Sequence, residues 1–184
     1  MFENTADKFR YELNPGERII WSGQPQQGLM LRPGDAIMIP FSLMWGGFAM
    51  FWEFSVVTSG APLFAMFWGI PFVLVGLYII FGRFFVDMEQ RSRTYYALTN
   101  ERVIIVSGLF NQSVKTLKLR QLTEINITNR SNNKGTITFG TSHPMSWMYI
   151  SGFPSKYPVA PSFEMIDNAR MVYQKIQHMQ REGI

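Results

Sequence analysis

The polar and apolar positions of this 184-residue chain change rhythm several times. From Ala36 to Gly82 the apolar run is almost unbroken, and Glu53 is its only charged residue. About two spans of some 20 residues fit that window, each long enough to cross a hydrocarbon core. A buried core helix rarely needs such length or such all-round apolarity. The pattern predicts a two-helix transmembrane hairpin, with spans at about 36–57 and 62–82 and a turn in "TSGAP". Pro40 falls in an early helical turn, where its missing N–H matters little, and Pro71 falls mid-span. Ser42 and Gly46 form a small-xxx-small pair that lets helices approach closely, which makes them candidate contacts for a partner or the bilayer.

After Arg83 the period shortens to two. "TYYAL" and "RVIIVSG" are β-rich and separated by the turn-like "TNE"; "SVKTLKLRQ" follows. In "LTEINITNR", Ile125 and Ile127 alternate with Glu124, Asn126 and Thr128; in "GTITFG", Ile137 and Phe139 alternate with Thr136 and Thr138. Alternation of this kind gives one buried and one wet face. "SNNKGT" between them has hairpin-turn chemistry. Short strands at roughly 10-residue spacing predict a small antiparallel sandwich or barrel.

Towards the C-terminus, Phe163, Ile166, Ala169 or Arg170, Tyr173 and Ile176 make one helical stripe, with Ser162 as N-cap and Glu164 and Asp167 in the first turns. Ahead of the hairpin, "RIIWS" reads as a short strand after a Pro-Gly turn, and Phe2, Ala6, Phe9 and Leu13 have rough helical spacing. The expected class is therefore an α+β membrane protein. It divides into an N-terminal segment (1–35), a hairpin (36–82) and a sheet domain with a terminal helix (83–184).

Charge placement sets the expected topology. Lys8, Arg10, Arg18 and Arg32 precede the hairpin, and the other 13 of the chain's 17 Lys and Arg follow it. The connection "EFSVVTSGAP" has none, so the positive-inside rule puts both termini in the cytoplasm. The polar opening "MFENTADKFRYELNPGE" has no apolar signal region. The absence of cysteine excludes disulfides, thiol nucleophiles and cysteine metal sites.

The catalytic inventory is poor. His143 and His178 lack ligand-spaced or triad-like neighbours. "GTITFG" has no following helix to present N–H groups to a phosphate, so no nucleotide loop is expected. Neither an enzyme nor a cofactor is expected. Nucleic acid is not an expected partner, because the basic residues do not interleave with stacking aromatics.

Glu53, near the outer end of the first span, reads as an interfacial carboxylate; at mid-bilayer it would suggest proton or ion handling. Arg83, Arg91, Arg93, Lys115, Lys118 and Arg120 set topology and solvate a face, or they contact anionic headgroups, worth on the order of 1 kcal/mol per residue. Trp147, Met148, Tyr149 and Phe153, in the loop from Met145 to Tyr157, either fill the sheet core or expose an apolar patch to a partner or the bilayer.

The pre-hairpin "NPGERIIWSGQP" and the post-hairpin "RTYYALTNERVIIVSGLF" resemble the bacterial PH-domain membrane proteins, small proteins with a pleckstrin-homology-like domain beside a transmembrane hairpin. The resemblance covers nearly the whole chain. It implies a strongly bent antiparallel sheet closed at one end by a C-terminal amphipathic helix, in the cytoplasmic membrane of a bacterium. It also implies that "ERIIWSG" packs with the domain although it precedes the hairpin. It supplies no catalytic residues. Eukaryotic PH domains often bind phosphoinositides through basic residues on the first two strands and their loop; "LTNER", read as that loop, offers only Arg102. The function expected is a non-enzymatic binding module contacting a membrane-protein partner or anionic lipid. The alternative is an accessory subunit or assembly factor of a larger membrane complex, bound through its hairpin.

Overall fold

A computed structural model describes residues 5–32, 34–109, 111–130, 133–141 and 160–182. The chain forms two compact units. One is built from Met1–Gly28, Met88–Pro144 and Tyr157–Ile184, and the other on Leu29–Asp87.

The second unit is a helical hairpin. Helix α1 spans Asp35–Thr58; α2 spans Leu63–Leu77 and continues through a π-helical turn, Tyr78–Gly82, into α3, Arg83–Ser92. Two helical stretches, Asp35–Thr58 and Leu63–Ser92, are long and apolar enough to cross a membrane, and only 17% of each apolar stretch is buried within the protein. The second stretch runs ten residues beyond the expected span. Small residues line the contact between the helices: Ser42, Gly46 and Ala49 are buried on α1, and Gly69 and Gly76 on α2. A Cβ on Gly76 would stand 2.9 Å from the Gly46 Cα, so the two backbones touch there. Ser42 donates to Ile39 O at 2.9 Å, which satisfies its hydroxyl inside its own helix and permits its burial.

Among the described residues, the first unit holds seven strands in two antiparallel sheets. Sheet A has the order β1 (Ile19–Gly23), β2 (Tyr95–Thr99), β3 (Arg102–Ser107), β4 (Ser113–Lys118); sheet B has β5 (Ile125–Asn129), β6 (Lys134–Phe139), β7 (Ser162–Asp167). Helix α4 (Ala169–Glu182) follows β7. No strand pairing joins the sheets among the described residues, so the barrel in the expectation is not formed. Both sheets and α4 share one core, which includes Leu98, Val103, Ile137, Phe163, Val172 and Ile176. Phe163 sits among Tyr96, Phe139 and Trp21, with ring centroids 4.8, 5.1 and 5.3 Å away. Ile137 and Phe139 are buried as their alternation implies, and Ile125 and Ile127 pack half-buried against the same core.

The other face of sheet A is covered too. Phe9, at the end of a 3-10 turn (Thr5–Phe9), is fully buried with Ala97, Ile104 and Val106. This is why β2 and β3 read as continuous apolar runs rather than alternating ones.

Two expectations are corrected. Ser162–Asp167 is a strand, not the start of the terminal helix. Phe163 and Ile166 are spaced by three because β7 bulges. Gly135 pairs with Ile166 and Ile137 with Phe163, so two steps on β6 face three on β7. Met165 takes up the extra residue at φ 46°. The helix proper begins at Ala169, and its buried stripe is Ala169, Val172, Ile176 and Met179. Second, "LTNER" joins β2 to β3, because β1 is the sheet's first strand. The connection between the first and second strands is the stretch that contains the whole hairpin.

Candidate binding surface

The basic residues expected at a membrane surface divide into buried and exposed groups. Arg83 is 7% exposed. Its Nη1 donates to Asp35 Oδ1 at 2.6 Å, its Nε donates to Ile79 O at 2.9 Å, and its guanidinium lies 4.4 Å from the Phe84 ring centre. Asp35 Oδ2 accepts the Arg32 amide at 2.7 Å, and Arg32 Nη2 donates to Asp87 Oδ1 at 2.8 Å. Two acids and two arginines thus tie the entry of α1 to the end of the second helix. Arg83 answers a carboxylate inside the protein, where its charge is compensated.

Arg91 is also buried. It donates to the carbonyls of Gln26 and, at 2.6 Å, Gly28. Gln27 and Gln24 return side-chain bonds to the Arg91 and Ser92 carbonyls, each at 3.3 Å. These bonds stitch the segment after β1 to the end of α3. A guanidinium is suited to this, with five donors in a rigid fork and no acceptor.

The remaining members of the set are exposed. Arg93 pairs with Glu89 at 2.6 Å and donates to Leu109 O at 2.9 Å. Lys115 and Lys118 lie on β4 at the sheet edge, and Arg120 lies in the short 3-10 turn Leu119–Gln121. Strand alternation separates the two lysines. Lys115 pairs with Ile105, on the side of the shared core, while Lys118 pairs with Arg102 on the opposite side. The three cations therefore do not form one flat patch.

Ser42 and Gly46 face α2 inside the hairpin. They are used by the chain itself and are not a free face for another helix. Glu53 also turns inward: its Oε2 lies over Gly69, is buried, and has no hydrogen-bond partner among the described residues. Trp147, Met148, Tyr149, Phe153 and His143 lie outside the described residues.

The most developed polar constellation was not anticipated from sequence. The Glu17 side chain is fully buried. Arg102 clamps it with Nε on Oε1 and Nη2 on Oε2, both at 2.9 Å. Thr99 Oγ1 donates to Oε1 at 2.7 Å, and the Asn14 amide donates to Oε2 at 2.8 Å. Arg102 Nη2 also reaches Glu12 O at 2.6 Å. One residue along, the Arg18 amide donates to Asn100 Oδ1 at 2.8 Å and the Asn100 amide to Arg18 O at 3.1 Å. "PGER" and "LTNER" thus interlock, although the hairpin separates them in sequence. Burial alone would raise the Glu17 carboxyl, but the hydrogen bonds from Arg102, Asn14 and Thr99 and the arginine's charge outweigh it and hold the pKa below its usual value. The bond to Glu17 pushes Arg102 further up, against the opposing effect of burial. The sequence signal was the pair of Glu-Arg dipeptides, each beside turn residues; nothing in the spacing showed that they would meet.

Among the described residues no three His, Cys, Asp or Glu side chains are grouped to hold a metal. Among the described residues, seven strands form two antiparallel sheets with the terminal helix on their shared core. The chain belongs to the bacterial PH domain family, which it matches over residues 40–180. The match takes in most of the hairpin and leaves β1 and Glu17 outside. PH domains are in general non-catalytic binding modules, and the family supports that class of role. Comparisons with curated proteins and with solved structures gave no significant match.

Proposed function

We propose that the protein is a membrane-anchored, non-enzymatic binding module of the bacterial cytoplasmic membrane. Its hairpin spans the bilayer with both termini in the cytoplasm, and its PH-like domain contacts a membrane-protein partner or anionic lipid. The observation that carries this reading is the placement of the hairpin. Two long apolar helices are inserted between the first and second strands of the sheet, and most of their surface is unburied by the rest of the chain. A segment of that composition is stable where its exterior meets lipid. Arg93, Lys115, Lys118 and Arg120 supply the exposed charge for an anionic surface. Arg83 and Arg91 contribute chiefly by holding the chain's path. Because Ser42 and Gly46 are consumed within the hairpin, the reading favours the domain, rather than the hairpin, as the partner-binding part.

Reporter fusions after Gly60 and after Ile184 test the topology; a cytoplasmic signal at Gly60 overturns it. For lipid contact, the full chain is reconstituted in nanodiscs and its domain is followed by fluorescence quenching from labelled headgroups. Replacing Lys115, Lys118 and Arg120 by Gln is expected to reduce contact with anionic discs. Since the two lysines face opposite ways, the loss should stay below about 3 kcal/mol, and added salt should mimic it. Contact unchanged in the triple variant assigns these residues to a solvated face.

A further inference from the structure

Residues at the end of β5, the start of β6 and the first turns of α4 line an open polar cleft of about 400 Å³. Gly135 makes it possible. A Cβ there would stand 2.9 Å from the Ala169 Cβ and 2.9 Å from Thr128 O, so the start of α4 lies against β6 only because this position is glycine. Asn133 and Asn168, at φ 60° and 52°, turn the chain on either side. Arg130 just after β5, Lys134 at the start of β6 and Arg170 from the helix are thereby brought to one concavity, with Asn133, Asn168 and Gln174 also lining it. No acidic residue is among the described residues lining it. Asp167 stands just outside, 3.7 Å from Lys134, and is 79% exposed, so it neutralises little. The Arg130 and Arg170 side chains make no hydrogen bond or ion pair among the described residues.

We propose that this cleft binds a phosphomonoester. Three cations converge on it from two elements, which suits a dianion better than a single carboxylate. Guanidinium forks match phosphate oxygens in geometry as well as charge. The volume exceeds that of a phosphate alone and falls in the range of small-ligand sites. Four of the five other lining residues, Asn129, Asn133, Asn168 and Gln174, carry side-chain amides and the fifth is Met171, which suits a polar group carrying the phosphate, of the glycerol or polyol type. The same chemistry is offered by a soluble phosphoester and by the headgroup of a phosphomonoester lipid. The site is distinct from the cations on β4 and the turn that follows it, because it belongs to sheet B.

The test titrates the full chain in neutral detergent with glycerol 3-phosphate, with inorganic phosphate, and with short-chain phosphatidic acid against phosphatidylcholine of the same chain length. One saturable site is expected. Arg130→Gln with Arg170→Gln should weaken it at least about tenfold, as loss of charge-assisted bonds does. Arg181→Gln, exposed at the far end of α4 and outside the cleft, should leave it unchanged. Both arginines are exposed, so the variants should keep the parent's circular dichroism and melting temperature. Saturable binding of glycerol 3-phosphate supports a soluble ligand as sufficient, and binding of phosphatidic acid alone supports the lipid source. The lipid arm rests on the membrane-anchored reading and the soluble arm does not, so their failures can be told apart. No saturable binding of either phosphomonoester, or binding that survives the double arginine variant, overturns the proposal.

Discussion

Arg102→Met is the most searching single perturbation of the domain. It removes both bonds to Glu17, one to the Glu12 carbonyl, and the charge that balances a carboxylate with a fully buried side chain. Two donors remain, Thr99 and the Asn14 amide, so the carboxylate is not stripped bare. Breaking one side of a buried pair costs about 3–5 kcal/mol. With those donors kept and Arg102 itself 19% exposed, the lower end, about 3 kcal/mol, is expected here. That corresponds to roughly a hundredfold loss of hydrogen-exchange protection. The assay is exchange mass spectrometry on the full chain in detergent, reading peptides that cover β2 and β3 against the hairpin as internal reference. Glu17→Gln should cost less, because the charge it leaves, on Arg102, is 19% exposed and keeps the Glu12 carbonyl as acceptor, and the double variant should be less destabilised than the sum of the singles.

The pH dependence has a definite sign. The folded pKa of Glu17 lies below its ordinary 4.5, so its contribution is fully present above that value and is lost as pH falls through the folded pKa. Glu17→Gln should flatten stability in that acid window and leave neutral pH as the region of greatest difference. Arg102→Met with protection within about 0.5 kcal/mol of the parent, or strictly additive singles, would refute the clamp.

Three further outcomes follow from packing. Gly76→Ala should loosen the hairpin by about 1–3 kcal/mol in detergent, since its methyl meets the Gly46 backbone, whereas Gly47→Ala, which meets nothing within 4 Å, should be neutral. Equal melting temperatures for the two would show that the helices do not approach as described. Ile137→Ala, at a fully buried position, should cost about 2–5 kcal/mol in urea unfolding. Glu53→Leu should hold or raise the hairpin's stability, because the buried Oε2 lacks a partner and an apolar replacement removes its desolvation cost. A fall of more than about 1 kcal/mol in Glu53→Leu would mean that the carboxylate is satisfied.

Much of the architecture is legible without coordinates, because it depends on local periodicity. The almost unbroken apolar window marked the two helices to within a residue or two at α1 and at the start of α2. It missed the far end of the second helix, since α3 is amphipathic and charged and therefore looks like the polar chain beyond a span. Alternation in "INITN" and "TITF" assigned Ile125, Ile127, Ile137 and Phe139 to one side, as the core shows. The stretches that carry the family resemblance, "NPGERIIWSGQP" and "RTYYALTNERVIIVSGLF", contain Glu17, Thr99 and Arg102 of the clamp.

What the tertiary structure decided was everything that joins distant segments. A bulge at Met165 gives β7 the spacing of a helix, and only the register against β6 distinguishes the two. Arg83 and Arg91 look like interfacial cations in sequence. Their burial depends on Asp35 and on the carbonyls of Gln26 and Gly28, from segments that the linear order holds far away. Likewise Glu17 and Arg102 are 85 residues apart. Periodicity reports which face of an element is apolar; it carries no information on which charge another element will bring to it. That depends on strand pairing across the inserted hairpin, which decides whether a cation meets a carboxylate, a carbonyl or water.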